Sequence, residues 1–403
     1  GLSVVATDVG GGFSIGLGGL GFTMGISGSW MLFTGLIGAW LSAVLLIPKV
    51  SKLGHQHKFF TFPQIFNHFY NAKVALLAGI ISAIGYVGFT SSQVLAGAKL
   101  ASATIDGLSL QWALIIMGVI AVVYTSIGGL KAVIYTDTAQ WIILLVGLIF
   151  IGIPIAYNAV GGYEAIKESL APEFLSLQNI HWYQLLNWSI TIIPIWFIGM
   201  TLYQRIYACK DEKEAKKAWF IAGIFEWPIM AFMGVILGML AKVAANQGLF
   251  NGITDASSMD SEMGLPILLS TILPIGLMGL MLSSYFSAIL STADSCLMAA
   301  SGNIVTDIIS KFTKKDVSEK QMLQISQIVT LGVGIFAILL ASQMQNVLEL
   351  MLYSYAFMVS GLFIPVLGAL FWKKSNPIAA FWSMILGGST TIGLILSKNN
   401  LPF

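Results

Sequence analysis

The chain has 403 residues, of which 57% are hydrophobic and only 9% are charged. Soluble domains carry about 25% charged residues, so a soluble globular protein is excluded. The formal net charge of +2 gives no global field for nucleic acid, and the two cysteines, Cys209 and Cys296, indicate neither a disulfide framework nor a thiolate metal site.

Apolar windows of 20 or more residues recur along the chain, each long enough to cross the hydrocarbon core as a helix. The pattern predicts an all-α polytopic membrane protein, with its lipid bilayer as a permanent partner. The predicted apolar segments are 1–25, 28–48, 72–103, 109–127, 131–157, 184–208, 216–246, 264–309, 320–342, 346–372 and 377–397. Because Gly1 already lies inside an apolar segment, we expect a preceding helix to be absent from this chain.

The basic residues favour one orientation of these segments. If the loop 49–58 is cytoplasmic, alternation of the segments places sixteen of the twenty Lys and Arg residues on the cytoplasmic side. Lys99, Lys167, Lys242 and Lys398 then lie outside. The acidic loops 158–183 and 248–263 also lie outside, and residue 1 starts inside the cell.

Two segments contain helix-breaking residues near their centres. In the first, consecutive glycines at 10–12 follow Asp8, and we expect an unwound turn there, whereas Gly16 to Gly19 fit either a break or close helix packing. The sixth segment contains Pro194 and Gly199. Broken helices that open two five-helix halves are typical of inverted-repeat transporters, whose sites lie at the membrane midplane.

Polar groups are rare within the apolar segments, and they are concentrated in one decapeptide, 286–295. Its hydroxyl and carboxylate groups, with Asp294 among them, form an oxygen-rich stripe on one helix face. Hydrogen bonds from the hydroxyls to carbonyls of their own helix are an alternative reading, but they leave the carboxylate unexplained. Asp8, Asp137 and Glu226 are equally deep and have no deep Lys or Arg nearby in the sequence pattern, which favours binding of cations or protons.

Four motifs together resemble the sodium:solute symporter family. They are ATDVGGG at 6–12, YTSIGGLKAVIYTDTAQ at 124–140, Tyr203-Gln204-Arg205, and AILSTADS at 288–295. The similarity is greatest to the bacterial proline symporter and high-affinity choline transporter branches. It implies a single transporter domain over 1–403 with the leucine-transporter-type fold, in which broken helices 1 and 6 open two inverted repeats of five helices, about 1–157 and 184–372. An extra helix follows at 377–397, and the family's N-terminal helix is absent.

The resemblance also implies ion sites. Sodium, the coupling ion, would be bound by Ala6 and Val9 of the first helix and by Ala288, Ser291 and Thr292 of the eighth. Asp8 matches an acid linked to sodium use in proline symporters. A second sodium, present in some members, would use Asp137, Ser291, Asp294 and Ser295.

The family's geometry implies a solute pocket between the same helices. Trp30 stands where the choline branch places a cage aromatic, but Phe89 replaces a Trp of that branch, so a complete choline cage is not evident. The implied pocket residues are Gly11, Gly12, Phe13, Trp30, Tyr86, Phe89, Ser92, Gln93, Trp196, Gly199 and Tyr353.

The function expected from this resemblance is sodium-coupled import of a small organic solute, an amino acid or a quaternary ammonium compound, by alternating access. Proton coupling on the same fold and sodium-coupled transport of a sugar or carboxylate remain alternatives. No hydrolase triad or phosphate loop is present in the sequence, so we expect a transporter and not an enzyme. The expected location is the bacterial inner membrane, as a multi-pass protein.

Overall fold

The computed structural model describes residue 4 and the ranges 10–250, 256–312 and 318–397. The side chains of residues 10, 11, 127–140, 258 and 312 are not described. Within these ranges the chain forms α-helices joined by short 3-10 and π-helical turns, and no strand is found among them.

The described residues of the first half form eight helices. They are α1 Gly10–Met24, α2 Trp30–Leu45, α3 Ile47–His57, α4 Pro63–Phe69, α5 Ala72–Thr104, α6 Leu110–Gly147, α7 Ile153–Ala159 and α8 Gly162–Ser169. The second half supplies ten more. They are α9 Trp182–Ile198, α10 Met200–Ala208, α11 Glu212–Ile224, α12 Ala231–Asn246, α13 Gly264–Ile272, α14 Ile275–Gly302, α15 Ser310–Phe312, α16 Glu319–Ala341, α17 Val347–Phe371 and α18 Pro377–Leu396.

By length and apolar composition, eight helical stretches of the described chain can cross a membrane, or nine if the bent pair α9–α10 is one span. Three of these stretches are the joined helices α1–α2, α11–α12, and α14 with its π-helical extension Asn303–Ile309. The protein is therefore an integral, multi-pass membrane protein, as the composition predicts.

The stretch from α6 to α7 corresponds to two predicted segments, 109–127 and 131–157. Leu110 follows the end of α5, where Lys99 pairs with Asp260 in the α12–α13 connection. At the other end, the carbonyl of Val160 accepts a hydrogen bond from Gln247, which lies in the same connection (2.8 Å). Residues near both ends of this stretch thus contact the α12–α13 connection.

Helix α5 is the central helix of the bundle. In its most apolar window 78% of the residues are buried, against 22% in α16 and 17% in α18, which places the latter two at the lipid-facing periphery. Small residues of α5 allow close packing: Gly85 faces Met358 and Gly88 faces Ser354, both on α17. α14 and α6 pack on its other sides.

Helix α1 packs closely against α12 through glycines on both helices. A Cβ atom on Gly21 would collide with the backbone of Val235, and one on Gly238 would collide with the backbone of Gly18. Gly16 and Gly19 face Leu348 and Glu262. The glycines at 16–19 are therefore packing residues inside a continuous helix, which is one of the two readings left open by the sequence.

Candidate functional site between the first and eighth membrane spans

Helix α1 begins in the interior of the bundle. Gly10, Gly11 and Gly12 are helical and are the first residues of its described part, while residues 5–9, where the predicted break of this span would continue, lie outside the described residues. The N–H of Gly12 donates to Oε1 of the fully buried Gln93 on α5 (3.1 Å). A Cβ atom at Gly12 would lie 2.5 Å from that carboxamide, so a larger residue would require the Gln93 side chain to move.

An α-helix leaves its first four N–H groups without intrahelical partners. In α1 these groups lie at the buried end of the helix, where the helix dipole favours negative charge or carbonyl oxygen. The predicted ligands Ala6 and Val9, and the acid Asp8, lie outside the described residues. The structure describes the helix that follows them, from Gly10 onward.

The hydroxyl-bearing face of α14 is buried as predicted. Thr292 and Asp294 are fully buried, and Ala288, Ser291 and Ser295 are buried as well. Oγ1 of Thr292 donates to the carbonyl of Ala288 (3.2 Å), so the back-bonding alternative applies to this hydroxyl. Both atoms are still within reach of a shared ligand, because both are oxygens on one helical turn.

Asp294 lies against α6. Its Oδ1 is 2.5 Å from Oγ1 of Thr125, which is also 2.7 Å from the carbonyl of Ala121. The side chain of Asp137, the other acid of the predicted second sodium site, is not described. The structure thus places Asp294 with Ser291 and Ser295 on α14, and the rest of that site stays a prediction.

Helices α1 and α14 pack directly against each other. Ser14 of α1 and Tyr285 of α14 are neighbours across this contact. The first and eighth spans therefore meet inside the bundle, next to the buried start of α1.

An aromatic cluster lies beside the start of α1. The ring centroid of Phe89 on α5 lies 5.2 Å from that of Tyr355 on α17 and 6.5 Å from that of Tyr86. The ring centroids of Phe13 on α1 and Tyr355 are 6.4 Å apart. All four side chains are at most 3% exposed. Tyr355 lies two residues after Tyr353 of the predicted pocket set, in the stretch of α17 where the pocket is expected.

The sixth span is bent by 41° at Gly199, between α9 and α10. The carbonyl of Phe197, near this break, accepts a hydrogen bond from the hydroxyl of Tyr203 (2.7 Å). At the start of α10, the N–H of Thr201 donates to the hydroxyl of Tyr86 (3.1 Å). Tyr86 therefore links the break of the sixth span to the aromatic cluster, and the predicted broken helix is confirmed at Gly199.

Three predicted pocket residues do not join the cluster. Trp30 donates from Nε1 to the carbonyl of Leu177 in the α8–α9 loop (2.8 Å). Trp196 of α9 packs on Trp219 of α11, and their ring centroids are 6.2 Å apart. Tyr353 donates to Glu349 (2.6 Å). These contacts lie outside the aromatic cluster, and the place of the three residues in the solute pocket stays a prediction.

Ser92 is buried next to Gln93, but its hydroxyl donates to the carbonyl of Phe89 (2.7 Å) and is therefore used within α5. Gln93 also lies against Met351 of α17, with 3.9 Å between Nε2 and Sδ. Gln93 is thus the polar side chain that connects α1, α5 and α17.

A cleft of about 550 Å³ leads inward from the predicted outer face. Its lining includes Gly16 on α1, Trp188 on α9, Glu262 in the α12–α13 connection, and Glu349 and Tyr353 on α17. Gly16 lies one helical turn after Phe13 of the cluster. The cleft is therefore positioned as an entrance to the aromatic cluster.

The family model for the sodium:solute symporter family matches residues 1–387. The chain belongs to this family. It is a family of transporters, not of enzymes, with sodium as the coupling ion. The resemblance inferred from the four motifs is therefore confirmed.

Among curated relatives, the high-affinity proline transporter PutP of Bacillus subtilis is 27% identical over 97% of this chain and 82% of its own length. The sodium/proline symporter of Escherichia coli is 27% identical over 97% of this chain and 78% of its own length. The rabbit (Oryctolagus cuniculus) sodium/glucose cotransporter 1 is 27% identical over 96% of this chain, which spans 64% of that protein.

Two solved structures share the fold. A sodium-coupled sialic acid symporter in a substrate-bound outward-open state aligns with a TM-score of 0.74 and 21% identity over 100% of this chain and 89% of its own. Mhp1, a nucleobase-cation-symport-1 family transporter in a closed conformation with bromovinylhydantoin bound, aligns with a TM-score of 0.59 and 13% identity over 94% of this chain and 80% of its own. The architecture is thus the leucine-transporter type predicted from the sequence.

Proposed function

We propose that this protein is a secondary active symporter that uses the inward sodium gradient to import a small organic solute by alternating access. The observation that carries the proposal is the buried hydroxyl-bearing face of α14, on a helix that packs against α1. Hydroxyl and carbonyl oxygens are the neutral, hard ligands that an alkali cation prefers, and the carbonyls of the residues before Gly10 are proposed to supply the ligands of the first span.

The proposed sodium ligands are the carbonyls of Ala6, Val9 and Ala288 and the hydroxyls of Ser291 and Thr292. Asp8 is proposed to support this site, and Asp137 with Ser291, Asp294 and Ser295 to form a second one. Ser291 and Thr292 are buried in the described structure, as ligands of a sodium ion at the bilayer midplane need to be.

Coupling follows from linkage between the two sites. Sodium bound between α1 and α14 would hold α1 in place, and α1 carries Gly12 and Phe13 of the proposed solute site. Solute and sodium would then raise each other's affinity by the same factor, because linkage between binding sites is reciprocal. The proposed inverted repeats, about 1–157 and 184–372, would move relative to each other to alternate access.

The solute is proposed to be an amino acid, and proline is the first candidate. Phe13, Phe89 and Tyr355 offer apolar faces, Gln93 offers an amide, and the start of α1 favours a carboxylate. The proline symporters among the relatives agree with this chemistry. Their bacterial origin supports a location in a bacterial plasma membrane.

The proposal is tested by uptake into proteoliposomes that contain potassium and are diluted into sodium, potassium or N-methyl-D-glucamine buffer at fixed pH. The labelled solutes are proline, choline, glucose and sialic acid. We expect accumulation of proline that needs external sodium. Uptake that persists without sodium and follows an imposed pH gradient would establish proton coupling instead, and uptake of choline or a sugar in place of proline would correct the solute class.

A further inference from the structure

A second buried oxygen cluster lies at the predicted cytoplasmic end of the eighth span. It is built on the π-helical segment Asn303–Ile309, which continues α14, and on α5 beside it. Asn303 and Ser82 are fully buried, Asp307 is 4% exposed, and Thr61 of the α3–α4 linker is 3% exposed. A carboxylate at this degree of burial is costly without a partner of opposite charge.

Some of the polar atoms in this cluster are hydrogen-bonded to each other. Nδ2 of Asn303 donates to Oγ of Ser82 (2.7 Å), and Oγ1 of Thr61 donates to Oδ1 of Asp307 (2.9 Å). For Oδ1 of Asn303 and Oδ2 of Asp307, the described part of the chain supplies no hydrogen-bond donor. Two buried acceptors on one helix face are therefore directed at a ligand that carries positive charge.

The nearby basic residue Lys311 is bound elsewhere. Its Nζ donates to the carbonyl of Ala72 at the start of α5 (3.3 Å), and its side chain is exposed. Lys311 lies one helical turn after Asp307, and its positive charge attracts the carboxylate of Asp307 at longer range. It does not form an ion pair with Asp307 within the 4.0 Å that such a pair requires, as judged over the described residues.

The cluster lies further along the same helical stretch as the proposed sodium site. Twelve residues separate Ser291 from Asn303, which is roughly 18 Å along a helix. Towards α5, Gly79 lets the helices approach, since a Cβ atom there would lie 2.9 Å from Cβ of Asp307.

We propose that Asn303 and Asp307, with Ser82 and Thr61 beside them, form a further, weaker sodium site, separate from the two proposed around Ser291, through which the ion leaves towards the cytoplasm. The proposal rests on the proposed sodium-coupled function. One carboxylate among neutral oxygens suits a monovalent alkali cation, whereas Ca²⁺ takes six to eight oxygens and usually several carboxylates. Among the described residues no group of three His, Cys, Asp or Glu could hold a transition metal.

The site has a structural reason to be transient. Thr61 belongs to the linker between α3 and α4, and its bond to Asp307 holds that linker against α14. If the linker moves away in the inward-facing state, the site loses its cover and opens to the cytoplasm. Sodium would then dissociate from Asp307 into water and not back along α14.

Sodium alone is the probe in the test. Binding of radioactive sodium to the purified full-length protein is displaced by unlabelled sodium chloride, with N-methyl-D-glucamine chloride keeping the ionic strength constant. For the wild type we expect two components, one tight and one weak. In Asp307→Asn the weak component should weaken about tenfold or more, because a hydrogen-bonded or ion-contacting charge is removed, while the tight component stays.

Three further variants complete the test. Asn303→Ala should weaken the weak component several-fold and serves if Asp307→Asn fails to fold. Thr292→Ala should weaken the tight component about tenfold or more and keep the weak one, and Ser301→Ala, which removes a buried hydroxyl of α14, should keep both. A single component in the wild type, or both components unchanged in Asp307→Asn and Asn303→Ala, would overturn the site at Asn303 and Asp307. Absence of any sodium binding in the wild type would overturn the proposed function itself.

Discussion

At the scale of single residues, Gln93 holds the solute site together. Its carboxamide lies between the N–H of Gly12 and Sδ of Met351, and so joins three helices in the centre of the bundle. A completely buried polar side chain is tolerated when its polar atoms have hydrogen-bond partners. Here the partner is the start of a helix whose N–H groups have no intrahelical acceptors.

We therefore expect Gln93→Leu to be destabilising by about 1–3 kcal/mol, since the N–H of Gly12 loses its acceptor in a buried environment. Solute affinity should fall at the same time, because α1 is no longer held in position. Denaturant titration and a solute-binding assay check both effects. Gln343→Leu, an exposed glutamine bonded to the hydroxyl of Ser342, is the matched control and should change neither. Equal effects of the two substitutions would contradict the assignment.

Cys209 follows α10 on the predicted cytoplasmic side and gives a second residue-scale prediction. Burial raises the pKa of its thiol, and the carboxylates of Glu214 and Asp211 add to the shift. Since the thiolate is the reactive form, its alkylation by an impermeant maleimide should keep accelerating with pH through and above the usual range of a free thiol. In a Cys296→Ala background, labelling should occur from the cytoplasmic side alone. Labelling from outside would contradict the orientation.

At the scale of helices, the break in the sixth span depends on one tyrosine. Tyr203 donates to the carbonyl of Phe197 at the bend, whereas the hydroxyl of Tyr207, one turn later on α10, has no hydrogen-bond partner among the described residues. The two tyrosines share a helix and differ in this bond, and Tyr203 is the more deeply buried of the two. They therefore form a matched pair.

Tyr203→Phe should lower the free energy of unfolding by about 1–3 kcal/mol, because a buried carbonyl loses its donor. Tyr207→Phe should be neutral or slightly stabilising, because it removes a buried hydroxyl that has no partner. Thermal unfolding of both variants in the same detergent compares them directly. A larger loss of stability in Tyr207→Phe than in Tyr203→Phe would refute the role assigned to Tyr203.

A second contact between helices is the ion-pair network on the outer side. Lys99 of α5 is fully buried and pairs with Asp260 (2.6 Å) and Glu262 (2.7 Å). Glu262 also accepts the N–H groups of Val347 and Leu348 at the start of α17 (2.8 and 3.0 Å). The network ties α5, the α12–α13 connection and α17 together beside the cleft.

We expect Lys99→Met to destabilise the protein by about 3–5 kcal/mol, because removing one partner of a buried pair leaves an uncompensated charge on Glu262. Lys242→Met is the control. Lys242 is half-buried and lies over the rings of Phe22 and Phe174, an arrangement worth about 1 kcal/mol. Similar unfolding free energies for the two variants would show that the ion-pair network does not make this contribution to stability.

At the scale of the whole molecule, the sequence was sufficient for the fold but not for the faces of its helices. Apolar length and the four motifs gave the helical bundle, and the glycine at 199 gave the bend of the sixth span. Membrane depth is readable because it follows from position within an apolar run. The side of the helix on which Trp30, Trp196 and Tyr353 point is set by neighbours far away in the chain, so a single sequence does not give it.

Contacts between residues far apart in the sequence could not be predicted either. Lys99 reads as an outer basic residue, yet it is buried against acids some 160 positions later in the chain. Gly10 to Gly12 read as a break, and in the structure they are helical, since glycine lowers helix propensity but does not end a helix when tertiary contacts support it. Such outcomes depend on packing, which a single sequence does not encode locally.

The central claim is that sodium binds between α1 and the hydroxyl face of α14. The most direct measurement is the sodium concentration that half-saturates solute binding in Ser291→Ala and Thr292→Ala, with Ser301→Ala as control. We predict a rise of about tenfold or more in the first two variants and no change in the control, since each lost ligand removes a charge-assisted contact to the ion. An unchanged sodium dependence in both Ser291→Ala and Thr292→Ala, with the protein folded, would contradict the account.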